Sequence, residues 1–195
     1  MPPRTLNPDE ARQLKSELGF EASAKIALYV GRPFKRKGFP FLVNWWAREH
    51  ERSPELALLV LGCTQEDVAN CGGNTLPRLR ALGYVENVRD FYTISDFLIL
   101  PSESEGFSYA VLEAFIARRC VVASNVPGLR DQIADRKTGL LFEYDSPPSL
   151  TTAVTYLLAS PSIKGELERD AFEYAQAFDR RSHLEALGRF YENVC

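Results

Sequence analysis

The chain has 195 residues, 45% of them hydrophobic and 25% charged, with a formal net charge of -3. These values suit one domain with a self-sufficient core and exclude disordered, fibrous and disulfide-dependent miniature classes. The mildly acidic balance argues against a broad nucleic-acid surface, no apolar run reaches the roughly 18 residues of a membrane span, and the start Met1-Pro2-Pro3-Arg4 has no apolar signal core.

Asn7-Pro8-Asp9-Glu10 reads as a helix start: asparagine caps, proline suits the first turn, and two acids face the positive helix end. That helix closes at Gly19. Ile26 to Val30 reads as a buried strand, apolar throughout, as parallel strands are. Phe39 to Trp46 reads as a helix and Leu56 to Leu61 as a second apolar strand. Gln65 to Arg80 is polar, with Gly72-Gly73 and Pro77 breaking any long helix. Leu82 to Val85 is a short strand or strand end. Val88 to Ser95 is a short helix, and Phe97 to Leu100 a strand closed by Pro101. Ser108 to Ala117 is a helix with Val111, Leu112 and Phe115 on its inner face. Cys120 to Ala123 is a strand, Leu129 to Ala134 a helix, and Gly139 to Phe142 another strand. From Ser149 the chain is helical, interrupted at Pro161 and near Asp179. Its closing apolar series, Phe172, Ala175, Phe178, Leu184, Leu187, Phe190 and Tyr191, is spaced to pack, and any part of it left exposed would mark a partner.

Strand and helix alternate about six times, which predicts an α/β fold, a doubly wound parallel sheet of about six strands with helices on both faces. Ligands of such sheets bind beyond the carboxyl ends of the strands, so the loops 31–38, 62–64, 84–87, 101–108 and 124–128 are the ones to inspect. The four cysteines and two histidines have no metal-ligand spacing. Reduced thiols in a cytosolic protein are the simple reading; Cys63 and Cys71 could pair in an exported one.

Three segments on the binding edge carry chemistry. Gly31-Arg32-Pro33-Phe34-Lys35-Arg36-Lys37-Gly38 sets four cations between two glycines after the first strand. Glycine lets a backbone approach a ligand and clustered cations favour an anion, phosphate above all; the alternative is a solvated basic loop. The pattern of an ATP-binding P-loop is absent. The second segment runs from Pro101-Ser102-Glu103-Ser104-Glu105-Gly106-Phe107-Ser108 into the helix that holds Glu113. Bare N–H groups at that helix start make an anion site. Glu113 falls among Val111, Leu112, Ala114 and Phe115, and a carboxylate on an apolar face needs a donor, for which sugar or ribose hydroxyls serve. The alternatives are a capping carboxylate at Glu105 and a surface or salt-bridged one at Glu113. The third segment, Asn125 to Asp131, reads as an ordinary turn and cap.

Gly31-Arg32…Lys37-Gly38, Pro101-Ser102…Glu105-Gly106-Phe107, Glu113-Ala114 and Gly139-Leu140-Leu141 together resemble the donor-binding, C-terminal half of retaining GT-B glycosyltransferases, family 4 (glycosyl transferases group 1). A glutamate, seven residues and a second glutamate is that family's signature, and the match runs in order over nearly the whole chain. The resemblance implies that Arg32 and Lys37 grip a nucleoside diphosphate. It implies that Glu105 accepts hydrogen bonds from donor-sugar hydroxyls beside Gly106, with the Phe107 and Ser108 amides nearby. The Tyr109 and Ala110 amides would meet a phosphate, Glu113 the ribose, and the turn at Tyr84-Val85-Glu86 the base; Gly31 would let the main chain come close. No metal and no resident cofactor is expected, since cations and a helix end do that work. Catalysis would rest on Arg32, Lys37 and Glu105.

The sequence departs from the family at several points. Ser108 stands where a second glycine is common. Ala117-Arg118-Arg119-Cys120 lacks the glycine and proline usual at that helix exit. Pro127-Gly128 replaces a glycine pair, Asp131 a glutamate, and Cys63-Thr64-Gln65 a glycine-rich turn. The expectation is one nucleotide-sugar-binding domain over 1–195, with 1–20 as a lead-in helix and 161–195 as closing helices. The acceptor-binding half, which would meet a saccharide or lipid-linked saccharide, lies outside the chain or in a separate subunit. Such a protein would be cytoplasmic, held at the membrane through that other half. A non-catalytic nucleotide-sugar-binding partner or sensor of the same fold, and an epimerase, are the competing functions.

Overall fold

Strands apolar on both faces require cover on both sides, and the computed structural model, which describes residues 6–72 and 76–176, supplies it. Six strands form one parallel sheet: β1 (Lys25–Val30), β2 (Leu56–Leu61), β3 (Leu79–Ala81), β4 (Phe97–Leu100), β5 (Cys120–Ser124) and β6 (Leu140–Phe142). Their order is β3-β2-β1-β4-β5-β6. The chain works outward from β1 in one direction, then returns to the other side of it with β4. That reversal opens a crevice beyond the carboxyl ends of β1 and β4.

Eight α-helices occur among the described residues: α1 (Pro8–Glu17), α2 (Phe39–Glu49), α3 (Gln65–Asn70), α4 (Val88–Ile94), α5 (Tyr109–Ile116), α6 (Leu129–Gln132), α7 (Pro147–Ala159) and α8 (Pro161–Gln176). Asn7 caps α1 as expected, accepting from the Asp9 and Glu10 amides. One half of the core lies under α2, α3 and α7, with Phe39, Trp46, Val68, Val154 and Leu157 buried. The other half, under α1, α4, α5 and α8, buries Phe20, Tyr92, Phe115 and Ala171. No helix of the described residues is long and apolar enough to cross a membrane.

Several boundaries move. The third strand is Leu79–Ala81 rather than Leu82 to Val85, and the polar stretch before it holds a helix of only six residues, α3. Gly83, at φ 68°, turns the chain off the sheet just after Leu82. The helix over 109–116 buries Val111, Ala114 and Phe115, and Leu112 is only half-buried. α6 is one turn, ending at Gln132. At the exit of α5 the usual glycine is replaced at a cost: Arg118 itself takes φ 55°, and its guanidinium lies 3.7 Å over the ring of Phe172. Ala175 is buried and Phe172 half-buried. Phe178, Leu184, Leu187, Phe190 and Tyr191, and the break near Asp179, lie outside the described residues.

Candidate functional site

The basic loop leaves β1 at Gly31, makes one 3-10 turn over Lys35–Lys37, and enters α2 through Gly38. Two close approaches fix it. A side chain on Gly31 would put its Cβ 2.7 Å from the Tyr29 hydroxyl, so Tyr29 would have to shift to admit one. Gly38 has φ 70°, and a Cβ there would lie 1.8 Å from the Pro101 carbonyl oxygen. The loop after β1 is thereby pressed onto the loop after β4. The Glu103 amide donates to the Arg36 carbonyl at 2.8 Å, and the Tyr29 hydroxyl reaches the Arg32 and Lys37 carbonyls at 3.0 and 3.3 Å.

This joint brings two of the expected residues together. Lys37 Nζ donates to Glu105 Oε1 at 2.8 Å and Oε2 at 2.9 Å. Ser102 Oγ donates to the same Oε1 at 2.8 Å, and Ser124 Oγ donates to the Ser102 carbonyl. The Glu105 side chain is 7% exposed, that of Lys37 31%. The Glu105 carboxylate is therefore a buried group held by one bond from the buried Ser102 hydroxyl and two from the less buried Lys37 ammonium. Gly128, at φ 76°, lets the main chain of the next loop pass against the Glu105 carbonyl, which a Cβ would approach to 2.1 Å. Ser102 and Gly128 stand in the three singled-out segments without an assigned contact and Ser124 stands just outside them; for the two serines, a small hydroxyl residue just after β4 and at the end of β5 is the available signal.

A cavity of about 190 Å³ opens beside the pair, lined by Tyr29, Val30, Lys37, Leu100, Ser102, Glu105, Phe107, Ser108, Tyr109 and Ala110. It is smaller than the usual 300–1,000 Å³ or so of a ligand pocket. α5 begins at this cavity, and Ser108, its N-cap, provides no side-chain cap. The first-turn amides of Tyr109 and Ala110 lack helical partners there. Gly106 is exposed, and a Cβ added to it would meet nothing within 4 Å. No protein atom demands glycine at that position.

Arg32 is exposed on the loop and makes no side-chain hydrogen bond or salt bridge among the described residues. Glu113 takes the surface alternative: it is exposed rather than set on the apolar face of α5. Its donor is protein, the Tyr92 hydroxyl at 3.2 Å from Oε2. The Tyr92 hydroxyl also lies 3.1 Å from the Ala110 carbonyl. Burial first, and then the Glu113 carboxylate, push the phenol well above its ordinary pKa, so it remains a donor. Replacing Tyr92 with phenylalanine is expected to lower stability by about 1 kcal/mol, read as a fall in thermal midpoint. A larger cavity of about 560 Å³ extends from Glu113 between α4 and α5, past Glu86, Arg89, Tyr92 and Ile116. Val85 is half-buried and Tyr84, just after β3, is 86% exposed. With Phe34, Phe107 and Tyr109 it makes four exposed aromatic rings on segments at the carboxyl edge.

The expected amide at Ser108 is not free. Its N–H donates to Gln132 Oε1 at 2.6 Å, and its carbonyl accepts from Gln132 Nε2 at 3.2 Å. Among the described residues no group of three or more His, Cys, Asp or Glu side chains is placed to hold a metal ion.

Comparison with known proteins gives a consistent picture. A family model described as "Glycosyl transferases group 1" matches residues 24–160. The D-inositol 3-phosphate glycosyltransferase of Corynebacterium aurimucosum is 30% identical over 193 residues, covering 92% of this chain and 46% of that protein. Sucrose-phosphate synthase from Thermosynechococcus elongatus superposes with a TM-score of 0.77 at 27% identity, over 92% of this chain and 48% of its own. Anabaena HepE, solved in complex with UDP-glucose, shares the fold with a TM-score of 0.83 at 18% identity, over 97% of this chain and 54% of its own. The chain spans about half the length of the curated relatives it matches.

Proposed function

Because the chain belongs to the glycosyl transferases group 1 family, we propose that it is the donor-binding part of a retaining glycosyltransferase of family 4, holding a nucleoside diphosphate sugar at the crevice beyond β1 and β4. The single observation that carries this reading is the Lys37–Glu105 pair backed by Ser102, set beside the start of α5.

The chemistry fits these groups. Breaking a sugar–phosphate bond leaves an oxocarbenium-like sugar and a diphosphate gathering negative charge. Arg32, Lys37 and the Tyr109 and Ala110 amides would meet that charge without having to reorganise. A diphosphate competes with Glu105 for Lys37. As the ammonium turns toward phosphate, Glu105 keeps its bond from Ser102 and has an oxygen to offer a sugar hydroxyl. Glu113, oriented by Tyr92, would take ribose hydroxyls, and Tyr84 and Val85 would flank the base. In a retaining reaction the acceptor attacks from the face that the diphosphate leaves, and a phosphate oxygen takes the acceptor proton. Groups that bind the acceptor saccharide or lipid-linked saccharide would come from a second half. In that arrangement 1–195 form one domain acting in the cytoplasm without a resident cofactor or metal.

Titration of the chain with UDP-glucose, UDP-N-acetylglucosamine and GDP-mannose by calorimetry tests the reading. Binding to at least one is expected, weakened about tenfold or more in Arg32→Ala, as for loss of a charge-assisted hydrogen bond. No binding to any of them at millimolar concentration would overturn it. The chain's span of about half its relatives' length keeps a second reading in view, a nucleotide-sugar-binding partner without catalysis of its own. Sugar transfer on adding a cognate acceptor half would exclude that reading.

A further inference from the structure

The departure at Ser108 has a partner elsewhere in the chain. Ser108 takes φ -97° and ψ 110°, a conformation open to any residue, so its backbone does not call for glycine. Gln132, 24 residues later at the end of α6 and 6% exposed, uses both ends of its carboxamide on the main chain of this one residue. The Ser108 N–H is thereby consumed, and so is its carbonyl. An N-cap serine ordinarily turns its hydroxyl onto the helix's first amides; this one makes no such bond. Its Oγ has no hydrogen-bond partner among the described residues, although the residue is only 5% exposed, and it lines the cavity beside Lys37 and Glu105.

We infer that Gln132 is a positioning residue that reverses the role of Ser108: it withdraws the amide from the ligand and leaves the hydroxyl as the group that meets an oxygen of the sugar–diphosphate end. The inference rests on the donor-binding reading above. The exchange alters the chemistry of that contact. An amide can only donate, whereas a hydroxyl donates to a phosphate oxygen or accepts from a sugar hydroxyl. The carboxamide clamp also ties the start of α5, which carries the Tyr109 and Ala110 amides, to the end of α6.

Two variants and two ligands test this. In Ser108→Ala the clamp is untouched, and affinity is expected to fall about three- to tenfold, the range for one neutral hydrogen bond. Loss for both UDP and UDP-glucose assigns the hydroxyl to phosphate. Loss for UDP-glucose alone assigns it to the sugar. GDP and GDP-mannose are run alongside as the second base. In Gln132→Met, hydrogen exchange of the Ser108 amide is expected to speed at least tenfold while amides of β1 and β4 keep their protection. Should that variant not fold, Ser108→Ala stands alone. Wild-type binding with Ser108→Ala indistinguishable from it would overturn the inference and leave the functional reading intact. Failure of the wild-type chain to bind any of the four nucleotides would overturn both.

Discussion

Replacing Lys37 with alanine is expected to weaken binding of both a nucleoside diphosphate and its sugar conjugate by about 10–100-fold, the range for losing hydrogen bonds to a charged group. In a reconstituted transferase the same change should cost about 10²–10³ in rate. The effect has two sources. Lys37 is the cation best placed to meet a diphosphate beside the start of α5, and it is also the charge partner of Glu105. Without it Glu105, 7% exposed, retains only Ser102 as a donor within the described residues. Stability should fall by about 1–2 kcal/mol, between the values for surface and fully buried pairs because Lys37 is partly solvated. Glu105→Gln separates the roles. It keeps an acceptor for the Ser102 hydroxyl and releases the ammonium, so UDP affinity should hold or rise while the gain from the attached sugar disappears. Calorimetry with UDP and UDP-glucose on both variants reads this directly. Lys37→Ala binding UDP as well as the wild type would remove Lys37 from the site.

Much of this architecture was legible in the sequence for a simple reason. Strands such as Leu56–Leu61 are buried along their whole length, and an apolar run of six residues between polar turns is the length of a buried parallel strand and too short for most helices. The candidate loops were legible because they follow strands. What failed was local and small. A three-residue strand, Leu79–Ala81, carries too little pattern to stand out from the polar stretch before it. Side-chain partnerships across loops carry no pattern at all. The Lys37–Glu105 pair spans 68 residues and depends on a glycine, Gly38, whose significance is steric. Tyr92 is buried in α4, and nothing in its spacing marks the hydroxyl that reaches Glu113. Gln132 was hidden because a polar residue at the end of a one-turn helix usually faces water. Glu113 faces water, so burial puts no demand for a donor on it, and Tyr92 supplies one all the same.

Gly38 and Gly106 make the sharper contrast, since both flank the same pair and the reasons for them differ. Gly38→Ala places a Cβ at φ 70° and 1.8 Å from the Pro101 carbonyl oxygen. That atom is main chain at the end of β4 and cannot rotate away, so the two loops must part. The left-handed backbone and the overlap together are expected to cost about 2–4 kcal/mol, seen as a lower midpoint in thermal or urea denaturation. The Lys37–Glu105 contact would be lost with them, so nucleotide affinity should fall along with stability. Gly106→Ala meets no protein atom within 4 Å and needs no positive φ, so its denaturation midpoint should stay within experimental error of the wild type. Its effect should appear only against ligand, as weaker binding of UDP-glucose where a Cβ beside Glu105 fills space that the sugar occupies. Equal binding by Gly106→Ala and the wild type would mean that the sugar lies elsewhere, and the open space before Glu-Gly-Phe would lose its assigned occupant. If Gly38→Ala kept its stability but lost affinity, the joint between the two loops would be a ligand contact, and the steric account of the site's assembly would fail.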